Sequence, residues 1–186
     1  MRSPGCVAIL ISGRGSNMRA LVERAVGYKV ALIASNKPGA AGLDWARDNG
    51  LPVWAHSSKG LRRDEFDREL SAALDQHDIG TVALAGFMRI LSPWFVEEWR
   101  GRILNIHPSL LPKYRGLDTH ARAIESGDKI SGCSVHVVTD ELDAGRVLGH
   151  AEVPIKSDDT PASLEERVLA AEHLLYPKVL SEFVQR

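Results

Sequence analysis

Residues 7–17 read VAILISGRGSN, and this stretch decides the fold class. An apolar run ends in two glycines, Gly13 and Gly15, and the polar residues that follow can begin a helix near Asn17. A buried parallel strand that leads through a glycine turn into a helix is the first unit of a doubly wound α/β fold. We therefore expect a Rossmann-like N-terminal half.

The same alternation of strand and helix continues along the chain. Val30–Ser35 and Val82–Ala85 are further apolar runs typical of buried parallel strands. Two segments follow helical spacing, namely Phe66, Leu70, Ala73, Leu74 and His77, and then Leu164, Val168, Ala171, Leu175 and Val179. This order predicts βαβ units, with helices covering a mostly parallel α/β sheet.

The C-terminal part of the chain has a different pattern. Residues 134–138 and 147–153 are two apolar-rich runs separated by a polar turn that contains Gly145, which predicts a pair of antiparallel strands. A last helix is expected to begin at Thr160–Pro161, with the threonine as N-cap and the proline in the first turn. Pro177 should kink or shorten this helix.

Composition limits the class of protein. A chain of 186 residues, 44% of them apolar, has room for one domain with a sizeable core, so we expect residues 1–186 to form a single domain. With 23 Lys+Arg against 24 Asp+Glu, the net charge of −1 provides no overall field for nucleic acid or an anionic membrane. Cys6 and Cys133 have no CxxC spacing, and no stretch approaches the roughly 18 apolar residues of a membrane span. These features predict a soluble, cytoplasmic protein. The sequence leaves open whether it is a monomer or a homodimer.

Asn105 and His107 are the most informative polar pair in the chain. They lie two residues apart at the end of an apolar run, and strand side chains repeat with period two, so both should project to the same side. Pro108 cannot donate to a sheet ladder and should end the strand at the edge where open α/β sheets bind ligands. An amide and an imidazole could then act on one carbonyl oxygen. Alternatively, His107 is only a satisfied strand-end histidine and Asn105 a turn former.

Asp143 is a candidate partner for His107. An unpartnered imidazole titrates near about 6.5 and is largely uncharged in the cytosol, whereas a nearby carboxylate favours the imidazolium. Asp143 could also be an ordinary turn residue before Gly145.

The other histidines do not form a metal motif. There is no HExxH and no Cys/His ligand spacing, so we expect no metal. His136 alternates with Val135 and Val137, and we interpret it as a structural or supporting residue.

The glycine loop after the first strand predicts a phosphate site. Its backbone N–H groups and the helix dipole favour an anion, and Ser16 and Asn17 add donors beside Gly15. The third glycine of GxGxxG and the P-loop lysine are both missing, so a single phosphate monoester fits better than a dinucleotide. The alternative is a tight turn in which Ser16 or Asn17 only caps a helix.

Three segments together resemble the phosphoribosylglycinamide formyltransferases of the folate-dependent formyltransferase family: residues 12–17, residues 85–93 and residues 105–114. The resemblance covers nearly the whole chain. It implies formyl transfer from 10-formyltetrahydrofolate, as co-substrate, to glycinamide ribonucleotide in purine biosynthesis, by direct attack and without a metal.

The resemblance also implies the roles of individual residues. Asn105, His107 and Asp143 would be catalytic, and the ribonucleotide would bind to Gly15, Ser16, Asn17 and Glu172. The folate site would comprise Arg63, Met88, Arg89, Ile90, Leu91, Asn105 and Asp140.

The chain departs from the usual family pattern at Arg115, Asp118 and Arg146, which puts loop conformation and folate affinity, rather than the reaction, in doubt. A formyltetrahydrofolate hydrolase or a methionyl-tRNA formyltransferase would share the chemistry. The family resemblance implies an additional domain in each of them, a regulatory domain before the catalytic one in the hydrolase and a basic RNA-contacting domain after it in the tRNA enzyme. A non-catalytic nucleotide-binding module would use the glycine loop alone.

Overall fold

The computed structural model describes residues 3–186, and within this range the chain forms seven strands and six helices. The first two residues of the predicted domain lie outside the described residues. In chain order the elements are β1 (Ser3–Ile11), α1 (Ser16–Glu23), β2 (Lys29–Ser35), α2 (Ala41–Asp48), β3 (Val53–Ala55), α3 (Arg63–Gln76), β4 (Ile79–Leu84), α4 (Pro93–Glu98), β5 (Ile103–His107), α5 (Thr119–Glu125), β6 (Ile130–Val137), β7 (Val147–Pro154) and α6 (Pro161–Val184).

The strands form one sheet in the order β3-β2-β1-β4-β5-β6-β7. Strands β1 to β5 pair in parallel, whereas β6 runs antiparallel to β5 and β7 antiparallel to β6. The prediction of a doubly wound, mostly parallel sheet with antiparallel strands near the C-terminus is therefore confirmed. No helix among residues 3–186 combines the length and the hydropathy needed to cross a bilayer.

Strand β1 is buried on both faces because helices cover both sides of the sheet. Ile9 and Ile11 pack in a cluster with residues of α1, α2 and α6, whereas Ala8 and Leu10 pack in a second cluster with residues of α3 and α4. A central parallel strand thus carries apolar residues at consecutive positions.

Tyr176 attaches α6 to the centre of the sheet. Its side chain is fully buried, and its hydroxyl lies 3.1 Å from the carbonyl oxygens of both Leu84 of β4 and Leu104 of β5. The hydroxyl can donate to either of these carbonyls. The helix that carries Glu172 is therefore fixed relative to β5.

The last helix begins as predicted but is not shortened at the proline. The Thr160 hydroxyl accepts a hydrogen bond from the Ser163 N–H, and Pro161 occupies the first turn. The helix continues through the buried Pro177 to Val184, so the shortening is wrong, whereas the kink stays a prediction. Burial of this side of α6 against the sheet outweighs the missing backbone hydrogen bond.

Ser12 joins the carboxyl ends of three parallel strands. Its hydroxyl donates to Asn36 Oδ1 at 2.6 Å and accepts from the Met88 N–H at 2.8 Å, while its own N–H donates to the Gly86 carbonyl. The segments after β1, β2 and β4 are thus held at one edge of the sheet, the same edge at which β5 ends with His107.

Candidate active site

Strand pairing places Asn105 opposite a histidine. Asn105 of β5 is in register with His136 of β6, and Asn105 Nδ2 lies 3.2 Å from His136 Nε2. His136 Nδ1 lies 3.1 Å from the Val137 carbonyl oxygen, which can only accept, so this nitrogen donates. Nε2 then accepts from Asn105 when the ring is neutral and can donate to Asp143 when the ring is the imidazolium. The contact orients the asparagine with Nδ2 towards the histidine and leaves one N–H of that amide for another acceptor.

Asp143 joins both histidines. Its Oδ2 lies 3.4 Å from His107 Nδ1, its Oδ1 lies 3.6 Å from His136 Nε2, and all three side chains are nearly buried. The Gly116 N–H donates to Asp143 Oδ2 at 3.0 Å. Burial by itself raises the pKa of this carboxyl, but contact with His136, the Gly116 N–H and the charge of His107 outweigh it and hold the pKa below its usual range.

His107 lies between two acceptors. Its Nδ1 faces Asp143, and its Nε2 lies 2.9 Å from the Tyr114 carbonyl oxygen. A carbonyl only accepts, so Nε2 must carry its proton, and Nδ1 can then donate only when the ring is the imidazolium. Because Nε2 is bonded to the Tyr114 carbonyl, the ring is held with Nδ1 facing the space between His107 and Asp143.

Residues 108–118 pack over His107, which is only 5% exposed. The Ser109 hydroxyl donates to the Lys113 carbonyl at 2.6 Å, and the Tyr114 hydroxyl donates to Asp128 Oδ2 at 2.9 Å. These bonds hold the turn in which Tyr114 adopts a left-handed φ of 53°. Residues 108–118 are thus a hydrogen-bonded part of the site.

The structure brings Asn105, His107 and Asp143 together and adds His136 as a direct neighbour of two of them. The sequence interpretation gave His136 only a structural or supporting part. Its alternation with two valines was the available signal, but the pairing of β6 with β5 was needed to place it opposite Asn105. The contact of His107 with the Tyr114 carbonyl involves a backbone group, so the residue type at position 114 gave no signal for this contact.

The glycine loop ends at the beginning of α1, as predicted. Gly15 is the N-cap residue with a φ of 74°, and no side chain caps the helix. A Cβ at Gly15 would also meet the Met18 side chain at 2.9 Å, so only glycine fits without strain. The Gly42 N–H donates to the Gly13 carbonyl at 3.0 Å and supports the loop from α2. The first-turn N–H groups can therefore receive an anion.

Asn17 and Glu172 meet although they are far apart in sequence. Asn17 Nδ2 donates to Glu172 Oε2 at 2.6 Å, and the buried Asn17 Oδ1 has no hydrogen-bond partner among residues 3–186. Burial raises the pKa of the Glu172 carboxyl to about 7, although the bond from Asn17 opposes this. A carboxyl group and an amide oxygen are thus available beside the glycine loop.

The segment after β4 presents two large apolar side chains at the surface. Met88 is 68% exposed and Ile90 is 59% exposed, whereas Leu91 is only 8% exposed and belongs to the core under α3 and α4. Leu91 is therefore a core residue, whereas Met88 and Ile90 are not. Exposed apolar residues next to a polar site are typical of a ligand surface.

Arg89 is held by backbone carbonyls. Its guanidinium lies over the Phe66 ring at 5.0 Å, and Nη2 donates to the Arg62 carbonyl at 3.1 Å. Its Nε is buried with no hydrogen-bond partner in the described part of the chain. Arg63 begins α3 and is exposed, and Asp140 is exposed in the loop that leads to Asp143.

The three departures from the family pattern lie in or near the two loops of the site. Arg115 Nη1 pairs with Glu141 Oε1 at 2.8 Å, which links the loops. Asp118 has a φ of 56° at the N-cap of α5, and the Arg146 carbonyl accepts from the Val137 N–H at 3.0 Å. Within residues 3–186, no group of three or more His, Cys, Asp or Glu side chains is arranged to hold a metal ion.

Comparisons with known proteins show the family and the fold of this chain. A model of the formyl transferase family matches residues 6–180. The phosphoribosylglycinamide formyltransferase of Escherichia coli strain K12 is 46% identical over 182 residues, which cover 95% of this chain and 86% of the relative. The trifunctional purine biosynthetic protein adenosine-3 of Drosophila melanogaster is 45% identical over 185 residues, but this chain spans only 14% of its length. A crystal structure of phosphoribosylglycinamide formyltransferase from Brucella melitensis superposes with a TM-score of 0.92 at 42% identity, covering 98% of this chain and 96% of that one.

Proposed function

The chain belongs to the formyl transferase family, and from this premise we propose that it transfers the formyl group of 10-formyltetrahydrofolate to the amine of N1-(5-phosphoribosyl)glycinamide. This reaction is a step of de novo purine (IMP) biosynthesis. The observation that carries the proposal is the convergence of Asn105, His107 and Asp143 at the sheet edge that also holds the glycine loop. The names of the E. coli and Brucella relatives support the choice of acceptor.

The ribonucleotide would bind at the beginning of α1. Its phosphate would accept hydrogen bonds from the N–H groups of Gly15, Ser16 and Asn17, since the helix dipole favours an anion there. Glu172 would accept from a ribose hydroxyl, because a buried carboxyl bonded to Asn17 through one oxygen still has the other oxygen available. The amine of the substrate would then point towards β5.

The folate would lie along the segment after β4. The exposed side chains of Met88 and Ile90 form an apolar surface suited to a flat heterocycle, with Leu91 beneath them and Asn105 at the reacting end. Arg63 is exposed and can meet an acidic tail, Arg89 fixes the segment, and Asp140 can accept from the ring. These features fit a reduced folate as co-substrate.

In the proposed mechanism, the substrate amine attacks the formyl carbon and negative charge develops on the formyl oxygen. The free N–H of Asn105 and the Nδ1–H of His107 would donate to this oxygen. His107 can do so only as the imidazolium, and the positive charge of that form would lie beside the Asp143 carboxylate, whose Oδ2 is 3.4 Å from Nδ1. Asn105 is held in the donating orientation by His136.

Collapse of the tetrahedral intermediate would break the bond between the formyl carbon and the folate nitrogen. The attacking amine must lose a proton and the leaving nitrogen must gain one. Asp143 is placed to carry it, directly or through a water, because its carboxylate lies beside His107 and is ionised at neutral pH. This route needs neither a covalent enzyme intermediate nor a metal.

We further propose that residues 1–186 act as one formyltransferase domain on small molecules, without a nucleic-acid or membrane partner, as a monomer or homodimer. A cytoplasmic location agrees with the two free thiols, Cys6 and Cys133, since reduced cysteines are typical of that compartment.

The decisive experiment mixes the purified protein with a 10-formylfolate, with and without the ribonucleotide, and follows folate product by absorbance. Turnover only with the ribonucleotide is the expected result. Turnover without it would make water the acceptor, as in a formyltetrahydrofolate hydrolase, and turnover in neither tube would favour a nucleotide-binding module.

Variants of the two oxyanion donors complete the test. Asn105→Ala and His107→Ala should each lower kcat by about 100- to 1000-fold, the usual effect of removing one oxyanion donor. His77→Ala is the matched control, because His77 is an exposed histidine at the end of α3 and should leave kcat unchanged. Binding of the ribonucleotide, measured by calorimetry, should persist in all three variants.

A further inference from the structure

Arg122 bridges two backbone carbonyls of the loop over the site. From α5, its Nη1 donates to the Arg115 carbonyl at 2.7 Å and to the Leu117 carbonyl at 3.2 Å. These carbonyls lie on either side of Gly116. One guanidinium nitrogen therefore holds the Arg115–Gly116 and Leu117–Asp118 peptide units.

The Arg115 carbonyl and the Gly116 N–H belong to the same peptide unit. In a planar trans peptide these two groups point in opposite directions, so fixing the carbonyl also fixes the N–H. The Gly116 N–H donates to Asp143 Oδ2 at 3.0 Å. Arg122 on one side of this peptide and Asp143 on the other are thus connected through a rigid group.

The same guanidinium contacts Tyr114. The Arg122 guanidinium carbon lies 5.2 Å from the centre of the Tyr114 ring, within the range of a cation–π contact. The hydroxyl of this tyrosine is bonded to Asp128, and its carbonyl oxygen lies 2.9 Å from His107 Nε2. Arg122 therefore also fixes the residue that anchors the imidazole.

We propose that Arg122 is a positioning residue that sets Asp143 and His107 for formyl transfer, through the Arg115–Gly116 peptide and through Tyr114. This inference rests on the proposed function. Arg122 lies outside the catalytic and binding sets predicted from the sequence, and it acts on the reacting groups only through the loop. Its removal leaves each catalytic side chain present but less well placed.

The central test is Arg122→Ala, assayed with both substrates. We expect kcat to fall about 10-fold or more, since small misplacements of catalytic groups can reduce rates up to about 100-fold. KM for the ribonucleotide should change less than about twofold, because the contacts of Arg122 do not extend to the glycine loop. Arg122→Lys keeps the charge and one donor and should recover part of kcat.

A pH profile of kcat distinguishes a positioning role of Arg122 from a purely structural role. Asp143 is faced by His107 of β5, by His136 of β6 and by the Gly116 N–H, and the Arg115–Glu141 pair lies beside it. Loss of the fixed N–H removes one group that stabilises the carboxylate, so the acid limb of kcat should move to higher pH in Arg122→Ala. Loss of fold stability alone would not move this limb.

Two matched arginine variants serve as controls. Arg115→Ala removes the side chain but keeps the carbonyl that Arg122 binds, and loss of its exposed ion pair with Glu141 should change kcat less than about threefold. Arg68→Ala removes a comparable arginine–aromatic contact, over Trp94 at 4.4 Å, away from the loop and should leave kcat unchanged.

The amide resonance of Gly116 gives a second readout that does not depend on turnover. In the wild type its chemical shift should follow the titration of Asp143, and in Arg122→Ala this response should be lost. An Arg122→Ala variant with wild-type kcat, acid limb and Gly116 response would overturn the inference. A wild type without turnover would instead refute the proposed function, and the Gly116 response would still decide whether Arg122 positions the peptide.

Discussion

Asn105 and His136 face each other across β5 and β6, with the asparagine Nδ2 3.2 Å from the histidine Nε2. The histidine is almost fully buried, and its other nitrogen is bonded to the Val137 carbonyl. The contact with His136 thus sets the orientation of the Asn105 amide. The side chain proposed to stabilise the formyl oxygen is oriented by a residue on the neighbouring strand.

Replacing His136 by alanine should impair catalysis without removing a proposed catalytic group. The Asn105 amide would lose its acceptor and could rotate, so we expect kcat to fall about 10- to 100-fold. The unfolding free energy should fall by about 1–3 kcal/mol, because a partly buried amide is left unpaired. Steady-state kinetics and urea denaturation measure the two effects. His150→Ala on β7 is the control, and equal effects of the two variants would contradict the assignment.

The Asp143→Asn variant should show whether turnover depends on the negative charge of this side chain or only on its shape. The amide can still accept from Gly116 but carries no negative charge beside His107, and we expect kcat at neutral pH to fall about 100-fold, the scale of general acid–base catalysis. In the wild type, the lowered pKa of Asp143 keeps its carboxylate ionised to a pH below the usual range of an aspartate. The stability contributed by its contacts should likewise be present at neutral pH and lost as the pH falls through that lowered pKa. Full turnover by the variant would exclude Asp143 from the mechanism.

Glu172→Gln should show a pH-dependent gain in stability. The folded-state pKa of Glu172 is raised to about 7, so its burial favours folding at low pH and this contribution is lost as the pH rises towards 7. A neutral amide avoids the loss and can also donate to the unpaired Asn17 Oδ1. The variant should exceed the wild type at pH 8 by on the order of 1–3 kcal/mol and by less at pH 5. Urea denaturation at the two pH values is the measurement, and a constant difference would contradict the raised pKa.

Neighbouring residues of the predicted folate segment should respond differently to substitution. Met88→Ser and Ile90→Ser remove exposed apolar surface, so each should raise KM for the folate about 3- to 10-fold with little change in Tm. Leu91→Ala empties a core position and should destabilise the fold by about 2–5 kcal/mol. Substrate titrations and thermal unfolding separate the two effects. A folate KM unaffected by both surface variants would place the folate elsewhere.

Local patterns in the sequence were sufficient for the main elements of the fold. The apolar run before Gly13 predicted β1, the alternation after Gly132 predicted the antiparallel strands, and the Thr160–Pro161 pair predicted the beginning of α6. Each of these depends on interactions between residues close in the chain, such as a cap or a turn. The expected shortening at Pro177 failed because contacts with the distant sheet outweigh the local cost of a proline.

The residue types of the site were likewise readable from the sequence, but their partners were not. Asn105 and His107 share one strand, so their common side follows from period two alone. The contacts of Asn105 with His136, of Asn17 with Glu172, and of Arg122 with the peptide before Gly116 join different elements. Strand register, helix docking and loop closure determine such contacts, and these arise only when distant segments pack together. The sequence by itself therefore determined which chemical groups this protein carries, and the tertiary structure decided which of them hold one another in place.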